Sequence, residues 1–70
     1  MSDSIRLQIN GEFREVPSGL NVTSLLAHLG LPVTRVAIER NLEILPKSEW
    51  ERTSVAAGDH YEIVQLVGGG

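Results

Sequence analysis

The 70-residue chain contains no cysteine, so neither a disulfide framework nor a thiolate metal site can hold it together, and side-chain thiol chemistry is excluded. Positive charge is scarce: six Lys and Arg stand against nine Asp and Glu, a net charge of −3 at pH 7. The six (Arg6, Arg14, Arg35, Arg40, Lys47, Arg52) are scattered along the chain. Binding a phosphate backbone draws on clustered positive charge, because affinity comes from neutralising phosphates and releasing counterions; no nucleic-acid partner is expected. No apolar stretch approaches the ~20 residues that span a bilayer. Met1-Ser2-Asp3-Ser4 offers no basic start and no apolar run, so a signal peptide is not expected and a cytoplasmic, membrane-free protein is. Phosphate-loop patterns are missing as well, since neither G-x-x-x-x-G-K-[ST] nor G-x-G-x-x-G occurs. His28 and His60 are the only histidines and lie far apart in sequence, so no metal site is expected. No catalytic carboxylate pair stands out either, and no residue of the chain is expected to be catalytic.

What remains is an ordinary globular composition, 41% hydrophobic and 21% charged, in a chain long enough for one hydrophobic core and no more. Ile5, Leu7 and Ile9 alternate with polar residues, the period of a half-buried strand. Asn10-Gly11 follows, a dipeptide that accepts positive φ at both centres of a type I′ hairpin turn. The returning strand runs over residues 12–16 with Phe13 as its large apolar residue, and ends at Pro17-Ser18-Gly19.

Val22, Leu25, Leu26 and Leu29 then form one apolar helical face. Asn21 is placed as N-cap, Leu20 and Leu25 as a hydrophobic staple, and Gly30 at the left-handed position past the end, with Pro32 as a stop. Residues 35–40 read as a third strand, 42–45 as a short edge strand, and 46–50 as a helical turn anchored by Trp50, with Glu49-Trp50-Glu51 a solvated turn around a buried indole. Residues 53–55 fit no pattern. Ala57-Gly58-Asp59 is a turn into a last strand, residues 60–67, apolar on both faces as a central strand requires. One helix covers one sheet face. If Ile5, Leu7, Ile9, Tyr61 and Ile63 face it, Val64 and Leu66 point the other way. With the last strand central beside the first, in parallel and reached by a right-handed crossover, the pattern predicts an α+β β-grasp domain: a mixed sheet of four to five strands with one main helix packed on one face. The domain takes residues 1–66 and leaves 67–70 as a flexible tail.

That tail, Val67-Gly68-Gly69-Gly70, is the chemical feature of the sequence. Without a Cβ, its glycines make a segment thin enough to enter a narrow channel, and four residues reach roughly 13 Å. The α-carboxylate at Gly70 is ionised at neutral pH and is a poor electrophile until an acyl-adenylate supplies a leaving group. Val64 and Leu66, if uncovered, would form an apolar partner-binding patch beside the tail.

The chain resembles the thiamine-biosynthesis sulfur carrier family (ThiS), a ubiquitin-like group. The resemblance rests on Asn10-Gly11-Glu12, on Leu25-Leu26 with Leu29, and on Val36-Ala37-Ile38. It continues through Ile44-Leu45-Pro46-Lys47-Ser48-Glu49-Trp50, Gly58-Asp59 and Glu62-Ile63-Val64 to Val67-Gly68-Gly69-Gly70. Lys47 stands where members often carry Arg, and Asn41-Leu42 where they carry an Asn-Gly turn. The resemblance implies a protein co-substrate rather than an enzyme, monomeric when free. A ThiF-type, E1-like adenylyltransferase would bind Mg and ATP and adenylate Gly70, so this chain would bind no cofactor itself. A persulfide, supplied through a cysteine desulfurase or related donor, would convert the adenylate to a thiocarboxylate, and a ThiG-type thiazole synthase would take the sulfur. Two other readings compete: a carrier of another pathway, such as the small subunit of molybdopterin synthase, and a non-catalytic ubiquitin-like binding module with an incidental tail.

Overall fold

The computed structural model describes residues 3–66; the tail expected over 67–70 lies outside them. Strand β1 (Ser4–Ile9) turns at Asn10 and Gly11, both at positive φ, into β2 (Glu12–Pro17), and the two pair antiparallel with Gln8 opposite Phe13. Helix α1 (Val22–Leu29) follows, then β3 (Val36–Arg40), the two-residue β4 (Glu43–Ile44), a 3₁₀ helix (Lys47–Arg52) and β5 (His60–Gln65). The sheet order is β2-β1-β5-β3-β4, with β5 parallel to β1 and antiparallel to β3. The last strand is therefore central, and the mixed five-stranded sheet with one main helix is the β-grasp arrangement.

The helix starts and stops where its capping residues dictate. The Asn21 Oδ1 accepts from the Ser24 N–H at 2.7 Å, and Gly30 adopts φ 75°. The Leu31 N–H then reaches the Leu26 carbonyl at 2.9 Å, closing the end as a Schellman motif. Val22, Leu25 and Leu26 are buried and Leu29 partly so, against Leu7, Ile9, Val16, Val36, Ile38, Tyr61 and Ile63 of the sheet. Trp50 seals the end of this core, its indole N–H donating to the Leu45 carbonyl at 3.0 Å.

Residues 53–55, which carry no periodicity, are organised by tertiary bonds. The Val22 N–H donates to the Thr53 carbonyl and the Val55 N–H to the Leu20 carbonyl, while Asn21 and Ser54 form an isolated bridge and Val55 is buried. Phe13, the large apolar residue of β2, stays outside the core. It shares the face of Gln8, away from the helix, and is 69% exposed, with the Arg6 guanidinium 5.3 Å from its ring centre. In the second strand only Val16 reaches the core. The strand expected over 60–67 ends in the structure at Gln65.

Candidate functional site

The strand that leads to the tail is held on both sides. On one flank Val36 opposes Gln65, Ala37 opposes Val64 and Ile38 opposes Ile63. The Leu66 N–H donates to the Arg35 carbonyl at 2.8 Å, so the pairing persists to the last described residue. On the other flank β1 contributes only Gln8 and Ile9, opposite His60 and Tyr61. Beyond them the Asn10 side chain takes over: its Nδ2 donates to the Ile63 carbonyl at 3.1 Å and its Oδ1 accepts from the Ile63 N–H at 2.7 Å. The direction in which the chain leaves the sheet is thus fixed by β3 and by one asparagine.

The start of β5 is anchored by Asp59, a buried carboxylate that the sequence shows only as a turn residue. It accepts from the Ala56 N–H, the Tyr61 hydroxyl, the Asn41 amide and the Arg40 guanidinium, whose Nε lies 3.2 Å away. Burial pushes the Asp59 carboxyl up, but these donors together outweigh it, leaving its pKa below the ordinary Asp value. Burial pushes the Tyr61 phenol up to about 12, aided by the Asp59 charge beside it. Asn41 also closes on β5, its Oδ1 accepting from the His60 N–H at 2.9 Å. No sequence pattern pairs Asp59 with Arg40, 19 residues away; the β3–β5 register brings them together.

Alternation along β5 places Tyr61 and Ile63 in the core and leaves Val64 57% and Leu66 54% exposed on the opposite, helix-free face. Nothing among the described residues covers them. The structure adds a residue that sequence reasoning missed. The two-residue turn Asn41-Leu42 sets Ile44 opposite Glu39, so Ile44 stands on this same face, 79% exposed. The turn itself was the available signal, because it fixes the β3–β4 register. Ala37, Ile38, Glu39, Ile44, Glu62 and Val64 together line a shallow depression of about 340 Å³. His28 and His60 are both exposed, His28 in the last turn of α1, and among the described residues no group of three or more potential ligands could hold a metal. Val67, Gly68, Gly69 and Gly70 lie outside the described residues.

A central last strand directed out of a mixed sheet, with one face packed by a helix and the other bare and apolar, defines a ubiquitin-like β-grasp protein. The chain matches the ThiS family over residues 7–70 and belongs to that family. It resembles the crystal structure of a thiamine biosynthesis protein (ThiS) from Geobacter metallireducens with a TM-score of 0.79 at 35% identity, covering 94% of this chain and 100% of that one. It is 47% identical over 66 residues to the thiazole synthase of Paramagnetospirillum magneticum; the match takes in 94% of this chain but spans only 20% of that protein. It is 36% identical over 70 residues to the uncharacterized protein ycf40 of Porphyra purpurea, covering 100% of this chain and 99% of that protein. No helix among the described residues is long and apolar enough to cross a membrane.

Proposed function

We propose that this chain is a sulfur carrier of thiamine biosynthesis, a protein co-substrate whose C-terminal Gly70 carries the sulfur as a thiocarboxylate. The observation that carries the reading is the placement of β5: a strand paired on both flanks, followed in the sequence by Leu66 and then Val67-Gly68-Gly69-Gly70, in a chain of the ThiS family. The domain of residues 1–66 is a handle and residues 67–70 are the part that enters a partner's active site.

The chemistry follows from the weakness of a carboxylate as an electrophile. An E1-like adenylyltransferase of the ThiF type, holding Mg-ATP, lets a Gly70 carboxylate oxygen attack the α-phosphorus and expel pyrophosphate. The terminal sulfur of a persulfide, filled through a cysteine desulfurase or related donor, attacks the acyl carbon and expels AMP. A second thiol then cleaves the resulting acyl disulfide, supplying the electron pair that leaves a thiocarboxylate on Gly70. A thiazole synthase of the ThiG type consumes it. That taker is favoured by the likeness to a protein named thiazole synthase in which the matching segment makes up a fifth of the length. Val64 and Leu66 serve as partner contacts at the root of the tail.

The test is intact-mass measurement after incubation with Mg-ATP, the adenylyltransferase and a sulfur donor. The expected result is exchange of one terminal oxygen for sulfur in the unmodified chain. Loading should be lost when Gly69 and Gly70 are deleted or a residue is appended after Gly70, with the melting curve unchanged because the core is untouched. Loading of the appended chain without prior trimming would overturn the mechanism.

A further inference from the structure

Strand β5 is held unequally on its two flanks. On the β3 side the pairing runs from Arg40 opposite Tyr61 to Val36 opposite Gln65, and the Arg35 carbonyl takes the Leu66 N–H beyond it. On the β1 side the paired residues end with Ile9 opposite Tyr61, because the chain turns away at Asn10 and Gly11. The N–H and C=O of Ile63 face that side, where β1 has no residue left to meet them. The Asn10 side chain meets both, with one donor and one acceptor. A primary amide presents these on separate atoms, as a peptide group does. The turn does not require it, since glycine would adopt φ 52° as readily. Nor does burial, since Asn10 is exposed and its amide could be left to water.

We propose that Asn10 is a positioning residue for the reactions at Gly70, acting through Ile63 and not on the terminus itself. It makes residues 63–66, the described stretch that leads toward the terminus, part of the sheet in the free protein. Their ordering is then complete before binding instead of being required during it. This rests on the reading of Gly70 as the group that is modified. A binding segment ordered only part of the time weakens apparent affinity in proportion to the fraction ordered, and losing two neutral hydrogen bonds lowers that fraction by roughly 3–10-fold. Because the device lies inside the carrier, it serves whichever partner receives the terminus. Its loss weakens the encounters with the adenylyltransferase and with thiazole synthase by the same factor, whereas a residue that touched one partner would affect that partner alone.

The experiment measures pyrophosphate release by the adenylyltransferase, and thiazole formation by the synthase supplied with the thiocarboxylate form, for the full chain and the variants Asn10→Gly and Asn10→Asp. Both variants accept the left-handed turn. Asp keeps the stiffness that glycine lacks, but sets a carboxylate oxygen, which cannot donate, on the Ile63 carbonyl. The expected result is a KM for the carrier raised ~3–10-fold with each enzyme and in both variants, with kcat unchanged because the partner holds the terminus once it is seated. Asn21→Ala, which removes the helix cap and lowers stability without touching β5, should leave KM as in wild type. An equal rise in Asn21→Ala reduces the effect to stability and overturns the proposal. So does a defect in Asn10→Gly alone, a rise with one enzyme only, or an unchanged KM. Each of these leaves the carrier reading standing. A wild-type chain that is never adenylated fails the carrier reading and this inference with it.

Discussion

Asn10 and Ile63 are joined by two hydrogen bonds in which a side-chain amide does the work of a strand residue: the Asn10 Nδ2 donates to the Ile63 carbonyl and its Oδ1 accepts from the Ile63 N–H. Asn10 stands in the left-handed turn region at φ 52° and still donates its own N–H to the Tyr61 carbonyl. One residue therefore closes the first hairpin and lengthens the β1–β5 pairing toward the tail. Asn41 is its counterpart on the other flank, also at φ 52° and bonded to His60 through both backbone and side chain.

The variant Asn10→Gly keeps the turn conformation and deletes the amide. It should lower unfolding free energy by about 1–2 kcal/mol, the net worth of two hydrogen bonds. Amide exchange should speed up at Ile63 more than at Val22–Leu29 helix amides, which checks that the loss is local to β5.

Leu42 carries φ 73° in the β3–β4 turn and is 90% exposed, so its side chain gains nothing from packing in return for the strained backbone. A leucine in this region costs about 1–2 kcal/mol. After the entropy penalty of glycine is set against it, Leu42→Gly should stabilise the domain by about 1 kcal/mol, a rise in melting temperature of about 4–8 °C. A fall in melting temperature would show that Leu42 has a packing role.

Asp59 and Tyr61 set opposite limits on stability against pH. The folded Asp59 has a pKa below 3.8, so on acidification the unfolded chain takes up its proton first; stability is intact above the ordinary Asp range and is lost as pH falls through the lowered value. Tyr61 is held up to about 12 from 10.0. The unfolded chain therefore releases the phenol proton first, and stability falls as pH rises from 10.0 to about 12. Denaturant melts across pH should show both limbs. Asp59→Asn should flatten the acid limb and Tyr61→Phe the alkaline one.

The elements that proved legible in the sequence are those whose determinants are neighbours. The Asn10-Gly11 turn, the face Val22-Leu25-Leu26, the Asn21 cap and the Gly30 stop each depend on residues within about one turn of each other, where backbone geometry leaves few choices. β5 is central as expected, but not because both its faces are buried: Tyr61 and Ile63 lie in the core while Val64 and Leu66 are exposed on the helix-free face, so its apolar run reflects that bare face as well as its place in the sheet. The place of Phe13 was not legible, since an aromatic on an edge strand is core or surface only according to the register of its hairpin, here with Gln8 across the turn.

By itself, the amino-acid order determined the hairpin, the capped helix and the central last strand, all through short-range sterics and hydrophobic period. Only the tertiary structure decided that Asp59 lies buried beneath Arg40 and Asn41, that Asn10 reaches Ile63, and that Glu39, Ile44, Glu62 and Val64 share one bare face. Those relations join residues far apart in the chain, and strand register, set by the packing of the whole core, is what brings them within bonding distance.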